Sequence, residues 1–142
     1  MKKVRTSKVN YNLYVEETQD FYQGMLTAIV KKETSETKDN YLFIYPKKEI
    51  NKERVYFEVI DNFIFKNFNE IKNKEEGITA LNIITPYGAG LELLKSKYKK
   101  INPYNAIPVS GNEMIFDKIR NKLQAERNMG LQVQYVVISE NE

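Results

Sequence analysis

The sequence predicts a single α/β domain over residues 1–142. We expect three layers, with helices on both faces of a mixed, mostly parallel sheet and an antiparallel edge formed by the N-terminal strands. The length of 142 residues is typical of one domain, and the 42% of hydrophobic residues is enough for a core. From Arg54 onward, strand-like and helix-like patterns alternate. Strands that alternate with helices are usually parallel, because each helix carries the chain back across the sheet.

The N-terminal part is predicted to contain three strands and a helix. Residues 9–15 alternate between apolar and polar side chains, which is the pattern of a half-buried strand. The apolar runs 41–45 and 54–60 are rich in aromatic and β-branched residues, so both are predicted as strands. Between the strand at 9–15 and the strand at 41–45, Thr18 is the expected N-cap of a helix. Its one apolar side is formed by Phe21, Met25, Leu26, Ile29 and Val30.

The rest of the chain alternates regularly between helices and strands. Asp61 is the expected cap of the first helix of this part, and Ser110 with Glu113 forms a capping box before the last one. Gly77 and Gly130 are expected to end helices. The predicted elements are, in order, a helix at 61–77, a strand at 78–84, a helix at 86–100, a weak strand at 104–109, a helix at 110–129 and a strand at 131–138.

The composition excludes several classes of site. The chain has no histidine and no cysteine, which excludes a Ser-His-Asp triad, a cysteine nucleophile, a disulfide and an ordinary zinc site. From the composition we therefore assign no catalytic residue, no metal ligand and no cofactor. No apolar run approaches the roughly 18–20 residues of a membrane helix, and no apolar stretch follows the basic N-terminus. We therefore expect a cytoplasmic protein.

One junction between a strand and a helix is predicted to bind a ligand. In parallel sheets, ligands lie beyond the carboxyl ends of the strands. Two glycines here allow close approach of the backbone, and the next helix presents free N–H groups that suit a phosphate, a carboxylate or a carbonyl. The glycines also fit a simpler role, in which they only relieve crowding between helix and strand. The predicted small-molecule or nucleotide-derivative site consists of Thr85, Tyr87, Gly88, Ala89 and Gly90.

The same stretch resembles part of the GNAT acyltransferase superfamily. The resemblance rests on a strand followed by PYGAGLELL at 86–94 and, on a later helix, by Asn112 and Phe116. It implies that the glycine-rich turn binds the pyrophosphate of acetyl-CoA. Two positions depart from the family pattern, because Thr85 replaces the usual Arg or Gln and Phe116 replaces the usual Tyr. An acyltransferase with acetyl-CoA as its cofactor is therefore the enzymatic form of this hypothesis.

Two further patterns favour nucleic acid. Asp61 with Glu70 and Lys72 has the D…E-x-K spacing of metal-dependent nucleases, although the E-x-K part fits a helix rather than the strand such a site needs. A basic cluster that includes a tyrosine is the second pattern, and it suits weak, sequence-nonspecific binding. Cations in the last turn of a helix also simply complement its dipole. The members of this basic cluster are Lys95, Lys97, Tyr98, Lys99 and Lys100.

Our first functional hypothesis rests on the ten tyrosines of the chain. A buried tyrosine needs a partner for its hydroxyl, so we expect several of the ten to lie at the surface. Surface tyrosines are typical of protein contact patches. The hypothesis is a non-catalytic binding or assembly protein that engages another protein or further copies of itself. The many asparagine, lysine and isoleucine residues are typical of an AT-rich genome, which also suits a phage or mobile-element accessory protein.

Overall fold

The computed structural model describes residues 7–74, 77–87 and 113–138. Its centre is one five-stranded sheet. The strands are β1 (Ser7–Glu17), β2 (Phe21–Lys31), β3 (Glu36–Pro46), β4 (Ile78–Thr85) and β5 (Gln132–Val137). They lie in the order β3-β2-β1-β4-β5. β1 pairs antiparallel with β2, and β2 with β3, whereas β4 pairs parallel with both β1 and β5. The predicted single α/β domain with an antiparallel N-terminal edge is confirmed.

The described helices all pack together against one face of the sheet. A short 3-10 turn, Lys47–Glu49, follows β3, and a π-helical segment, Ile60–Ile64, joins two α-helices into one long helix. Within the described ranges, no helix is long and apolar enough to cross a membrane. The second helical layer that we expected on the other face is not among the described residues. The α-helices are α1 (Lys52–Val59), α2 (Phe65–Lys74) and α3 (Glu113–Asn128).

β1 lies in the middle of the sheet and follows the predicted alternation. Val9, Tyr11, Leu13 and Val15 are buried, while every second residue between them points away from the helices. This strand pairs with β2 from Lys8 to Glu17 on one side and with β4 from Ser7 to Asn12 on the other. The period of two in the sequence is therefore a true strand signal.

The helix predicted from Phe21 is wrong, because these residues form β2. The chain turns sharply after β1, where Thr18 and Phe21 exchange hydrogen bonds, and this turn returns it antiparallel to β1. At Gly24 the two strands approach so closely that a Cβ atom would collide with the carbonyl oxygen of Tyr14. In β2 both faces carry apolar residues, so the pattern fits a helical stripe equally well.

The strand predicted at 54–60 is also wrong, because these residues form α1 and the start of the π-helical segment. Asn51 caps the helix, with its side-chain oxygen accepting a 2.8 Å hydrogen bond from the backbone N–H of Arg54. Asp61 is consequently inside the long helix and does not cap it. The buried residues of α1 and of the π-helical segment extend the apolar side of α2 toward the N-terminus at helical spacing. This places Phe57, Ile60 and Ile64 in the core.

The later elements agree better with their predictions. α2 ends before Gly77, which has a positive φ of 81°, and β4 follows as predicted. α3 ends before Gly130, where φ is 95°, and β5 follows it. Positive φ is the conformation that glycine adopts more readily than other residues. Ser110, the predicted helix beyond Tyr87 and the weak strand at 104–109 lie outside the described residues.

The sheet thus has two different faces. The covered face packs against α1, α2 and α3, and nearly all of the buried core lies there. The other face, which we call the open face, carries alternate residues of the same strands, most of them exposed or partly exposed. Because this difference follows from strand register, any site on the open face is assembled from residues far apart in the sequence.

Candidate functional site

The predicted ligand-binding junction lies at the carboxyl end of β4, between two parallel neighbours. Thr85 is fully buried, and its backbone oxygen accepts a 3.1 Å hydrogen bond from the N–H of Ile138 beyond β5. The Thr85 hydroxyl oxygen accepts a long 3.4 Å bond from the N–H of Tyr87. Gly88, Ala89 and Gly90 lie outside the described residues. The ligand site, and with it the acetyl-CoA hypothesis, therefore stays a prediction.

Tyr87 is half-buried and packs against α1. Its ring stacks on Tyr56 with centroids 4.5 Å apart and meets the edge of Phe57. The Tyr87 hydroxyl donates a 2.8 Å hydrogen bond to the carboxylate of Glu53, and Tyr135 donates a 3.0 Å bond to the Tyr87 carbonyl. Burial, followed by the hydrogen bond to Glu53, raises the pKa of Tyr87 far above its ordinary value. Tyr87 is thus a neutral donor, with one ring face already occupied by Tyr56.

The tyrosine-rich surface of our first hypothesis is not present among the described residues. Of the eight tyrosines there, four are buried, Tyr45 and Tyr87 are partly buried, and only Tyr14 and Tyr41 are exposed. Two of the buried rings have partners for their hydroxyls that the sequence could not reveal. Tyr11 donates a 2.7 Å hydrogen bond to Asn67 Oδ1, and Tyr135 donates a 3.0 Å bond to the Tyr87 carbonyl. The buried tyrosines are Tyr11, Tyr22, Tyr56 and Tyr135.

The structure does not assemble the D…E-x-K pattern into a metal site. Asp61 faces α3, where its carboxylate binds Lys122 at 2.5 Å and Lys118 at 3.1 Å. Lys72 also faces α3 and binds Glu126 at 2.7 Å. Throughout residues 7–74, 77–87 and 113–138, no group of three or more acidic, histidine or cysteine side chains is arranged to hold a metal ion.

The electrostatics of Asp61 stabilise the contact between the long helix and α3. Burial alone favours the neutral acid. The hydrogen bonds from Lys122 and Lys118 more than offset this, so the pKa of Asp61 lies below its usual range. The ion pairs therefore have a structural role in the described protein.

The open face has an arrangement of charge that the fold does not require. Lys8 on β1 lies directly opposite Lys31 on β2, and both side chains are exposed on this face. Within the described residues, neither ammonium group forms an ion pair. Like charges directly opposite each other destabilise an antiparallel pair. On β3, Glu36 lies directly opposite Lys31. Lys38 lies two residues further along the same face, with its ammonium 4.0 Å from the Glu36 carboxylate.

Beyond the lysines, the open face changes from polar to apolar. Its middle carries amides and hydroxyls, including an Asn82–Asn10 hydrogen bond of 2.7 Å and a Thr27–Asn40 bond of 2.8 Å. Its far end is an exposed apolar surface around a shallow hollow of about 540 Å³. The side chains of this hollow that lie on the open face are Tyr14, Glu16, Gln23, Met25, Leu42 and Ile44.

Sequence reasoning missed this face for a definite reason. Lys8 and Lys31 are 23 positions apart in the chain, and only the register of β1 with β2 brings them together. The helix predicted from Phe21 removed that register altogether. The basic cluster we did predict, Lys95, Lys97, Tyr98, Lys99 and Lys100, lies outside the described residues.

Comparison with known proteins identifies the fold. LC11-RNase H1, solved in complex with an RNA/DNA hybrid, matches over 93% of this chain and 86% of its own, with a TM-score of 0.51 and 10% identity. RNase H1 from the halophilic archaeon Halobacterium salinarum NRC-1 matches over 94% and 86%, with a TM-score of 0.38 and 8% identity. No protein-family model and no curated protein matches the sequence. At 10% identity, the first likeness concerns the fold alone.

This fold overturns our first hypothesis. A non-catalytic protein-binding or self-assembling function, with a phage or mobile-element role, does not agree with a chain whose fold is that of ribonuclease H1. The burial of four of the eight described tyrosines also weakens the basis of that hypothesis within the part of the chain that the structure describes. The error came from counting tyrosines as surface residues when the core can satisfy their hydroxyls.

Proposed function

We propose that this protein binds nucleic acid without sequence specificity, with the open face of its sheet as the contact surface. The proposal brings to this chain the class of ligand held by the ribonuclease H1 that shares its fold, an RNA/DNA hybrid in that structure. Because a fold does not by itself imply a function, the argument must rest on the site. A cytoplasmic location remains our expectation.

The observation that carries the proposal is the Lys8–Lys31 pair. Two exposed cations held opposite each other repel, although Glu36 on β3 also lies opposite Lys31. A bound polyanion makes the electrostatic energy of the two lysines favourable, because each phosphate contact neutralises a cation and releases counterions from the nucleic acid. Lys38 lies close enough on the same face to extend the contact.

The composition of the face supports binding that is independent of sequence. All three cations are lysines, which contact phosphate as point charges, whereas arginine forms the bidentate contacts that commonly recognise guanine. Asn10 and Asn82 already bond to each other, as do Thr27 and Asn40, so their capacity for reading base edges is reduced. Phosphate contacts position a nucleic acid without reading its bases.

The experiment is fluorescence anisotropy with labelled RNA/DNA hybrid, duplex DNA and single-stranded RNA at 50 and 200 mM salt. The expected result is binding at low salt that weakens steeply with added salt. The double variant Lys8→Gln/Lys31→Gln is expected to reduce the slope of log affinity against log salt by roughly 1.4–1.8, as loss of two phosphate contacts requires.

A matched control carries the same change in charge elsewhere. Lys66 and Lys74 are exposed on α2, on the covered side, so Lys66→Gln/Lys74→Gln should leave affinity and slope nearly unchanged. Equal effects of the two double variants, or no binding at low salt, would refute the proposal. Denaturing gels of the same mixtures after incubation with Mg²⁺ test hydrolysis of the hybrid separately from binding.

A second candidate function concerns the junction from Thr85 to Gly90. The observation that favours it is its position at the carboxyl end of β4, between parallel neighbours, where such sheets bind small ligands. A thermal-shift series with nucleotides and acetyl-CoA tests it, because a ligand of the folded state raises the melting temperature. A ligand response that Gly88→Asp leaves intact would contradict this location.

A further inference from the structure

The hollow at the far end of the open face is shallow but has the volume of a small ligand site. Its volume of about 540 Å³ lies within the range of roughly 300–1,000 Å³ that is usual for ligand pockets. Tyr14 is 47% exposed, and its neighbours across the strands, Met25 and Leu42, are 42% and 83% exposed. These side chains form one continuous apolar surface that the folded core does not use.

The chemistry of the hollow suits one nucleobase. An exposed tyrosine ring offers a flat surface on which any base stacks, and a methionine thioether adapts to ring edges. Polar groups lie at the rim, where Glu16 is opposite Gln23 in register. A glutamine amide offers one donor group and one acceptor, whereas an ionised glutamate only accepts. Glu16 therefore suits bases that carry an exocyclic amino group, which cytosine and adenine have and uracil lacks.

The distance to the lysines indicates an extended, single-stranded ligand. Lys8 and Tyr14 lie on the same face of β1 and are six residues apart, which corresponds to about 20 Å along a strand. A single strand can lie along this length with phosphates at the lysines and a base turned onto Tyr14. In a duplex, the bases are paired and stacked inside, so only phosphates reach the face.

We infer that the hollow beside Tyr14 holds one unpaired base of a single-stranded nucleic acid whose phosphates lie along Lys8 and Lys31. The inference rests on the proposed nucleic-acid binding and narrows its ligand. Charge complementarity favours this occupant over a protein, because the open face presents Lys8, Lys31 and Lys38 with one carboxylate, Glu36, at one end and an apolar hollow with a single carboxylate at the other. Bases with an amino group are the preferred occupants.

The test uses the full chain and single-stranded oligomers of C, A or U, about eight nucleotides long, with a duplex of equal length. Tyr14→Ala is expected to weaken single-strand binding by about 5- to 150-fold, the loss of one stacked base, without changing the salt slope. Tyr14→Phe keeps the ring and should bind like the unaltered protein. Glu16→Gln should narrow the preference for oligo-C over oligo-U.

The outcomes separate this inference from the proposed function. If Lys8→Gln/Lys31→Gln weakens binding but Tyr14→Ala does not, or if the duplex binds as tightly as the single strand, the inference is overturned and the proposed function stands. If neither Lys8→Gln/Lys31→Gln nor Tyr14→Ala weakens nucleic-acid binding, both the inference and the proposed function are overturned. Self-association in sedimentation without nucleic acid, abolished by Tyr14→Ala, would assign the hollow to a second copy and also overturn the inference.

Discussion

The two faces of the sheet are made from alternate residues of the same strands, yet they differ in burial, in hydrogen bonding and in charge. On β1, Leu13 is 1% exposed and packs under the helices, whereas its neighbour Tyr14 is 47% exposed. On the covered face, the hydroxyl of Tyr11 donates a hydrogen bond to Asn67 within the fold. The open face instead keeps two repelling lysines at one end and an apolar hollow at the other.

This difference teaches where to look for function in a chain without obvious catalytic residues. On the covered face, each polar contact is explained by folding, including the binding of Asp61 by Lys118 and Lys122. On the open face, Lys8 and Lys31 lie in register as like charges, an arrangement that by itself destabilises an antiparallel pair. Features that oppose stability are better pointers to a ligand than features that contribute to it.

The largest expected effect compares adjacent residues of β1. Leu13→Ala should lower the free energy of unfolding by about 2–5 kcal/mol, because it leaves a cavity in the core. Asn12→Ala, on the exposed side, should change it by less than about 0.5 kcal/mol. Urea unfolding of both variants measures the difference. A comparable cost at the two positions would mean that the open face is covered in solution.

The next effect concerns the ion pairs on the covered side. Asp61→Asn should cost about 1–3 kcal/mol, because two lysines lose their shared carboxylate. The folded state lowers the pKa of Asp61, so its contribution is present above the unfolded pKa of about 4 and is lost as the pH falls below it. Unfolding measured from neutral to acidic pH should therefore show a weaker pH dependence in Asp61→Asn. Asp20→Asn, in the exposed turn, is the control that should keep the full dependence.

A smaller effect is expected at the end of β4. Tyr87→Phe removes the hydrogen bond to Glu53 but keeps the stacked ring, so we expect a loss of about 0.5–1.5 kcal/mol. Tyr14→Phe, at an exposed position on the open face, should be neutral in the same measurement. If both variants left the free energy of unfolding unchanged, the Tyr87–Glu53 hydrogen bond would contribute nothing to stability.

The smallest effect has the opposite sign. Lys8→Thr removes the repulsion from Lys31 and should raise the free energy of unfolding by roughly 0.2–1 kcal/mol while it weakens nucleic-acid binding. Lys38→Thr, opposite Ile29, removes no like-charge pair and loses the 4.0 Å contact with Glu36, so it combines the strand preference of threonine with the loss of that attraction. A gain no larger than that of Lys38→Thr would show that the lysine pair is not under strain.

Much of the fold was predictable because local patterns agreed with the final structure. Three local patterns allowed only one interpretation each. They are the alternation at 9–15, the apolar run of β4 and the glycines at 77 and 130. The two errors, β2 and α1, occurred where apolar and β-branched residues cover more than one face, so neither period was decisive. Asn51, which caps α1, was the available signal for that helix.

The sequence by itself determined the class of the domain, the strands β1 and β3 of its N-terminal part and the absence of imidazole and thiol chemistry, since these depend on composition and on short-range periodicity. Only the tertiary structure decided which strands became neighbours, which tyrosines were buried and which lysines came to oppose each other. The physical reason is that strand pairing is a long-range interaction. A register between Lys8 and Lys31 is set by the packing of a whole face against the helices, and no local segment contains that information.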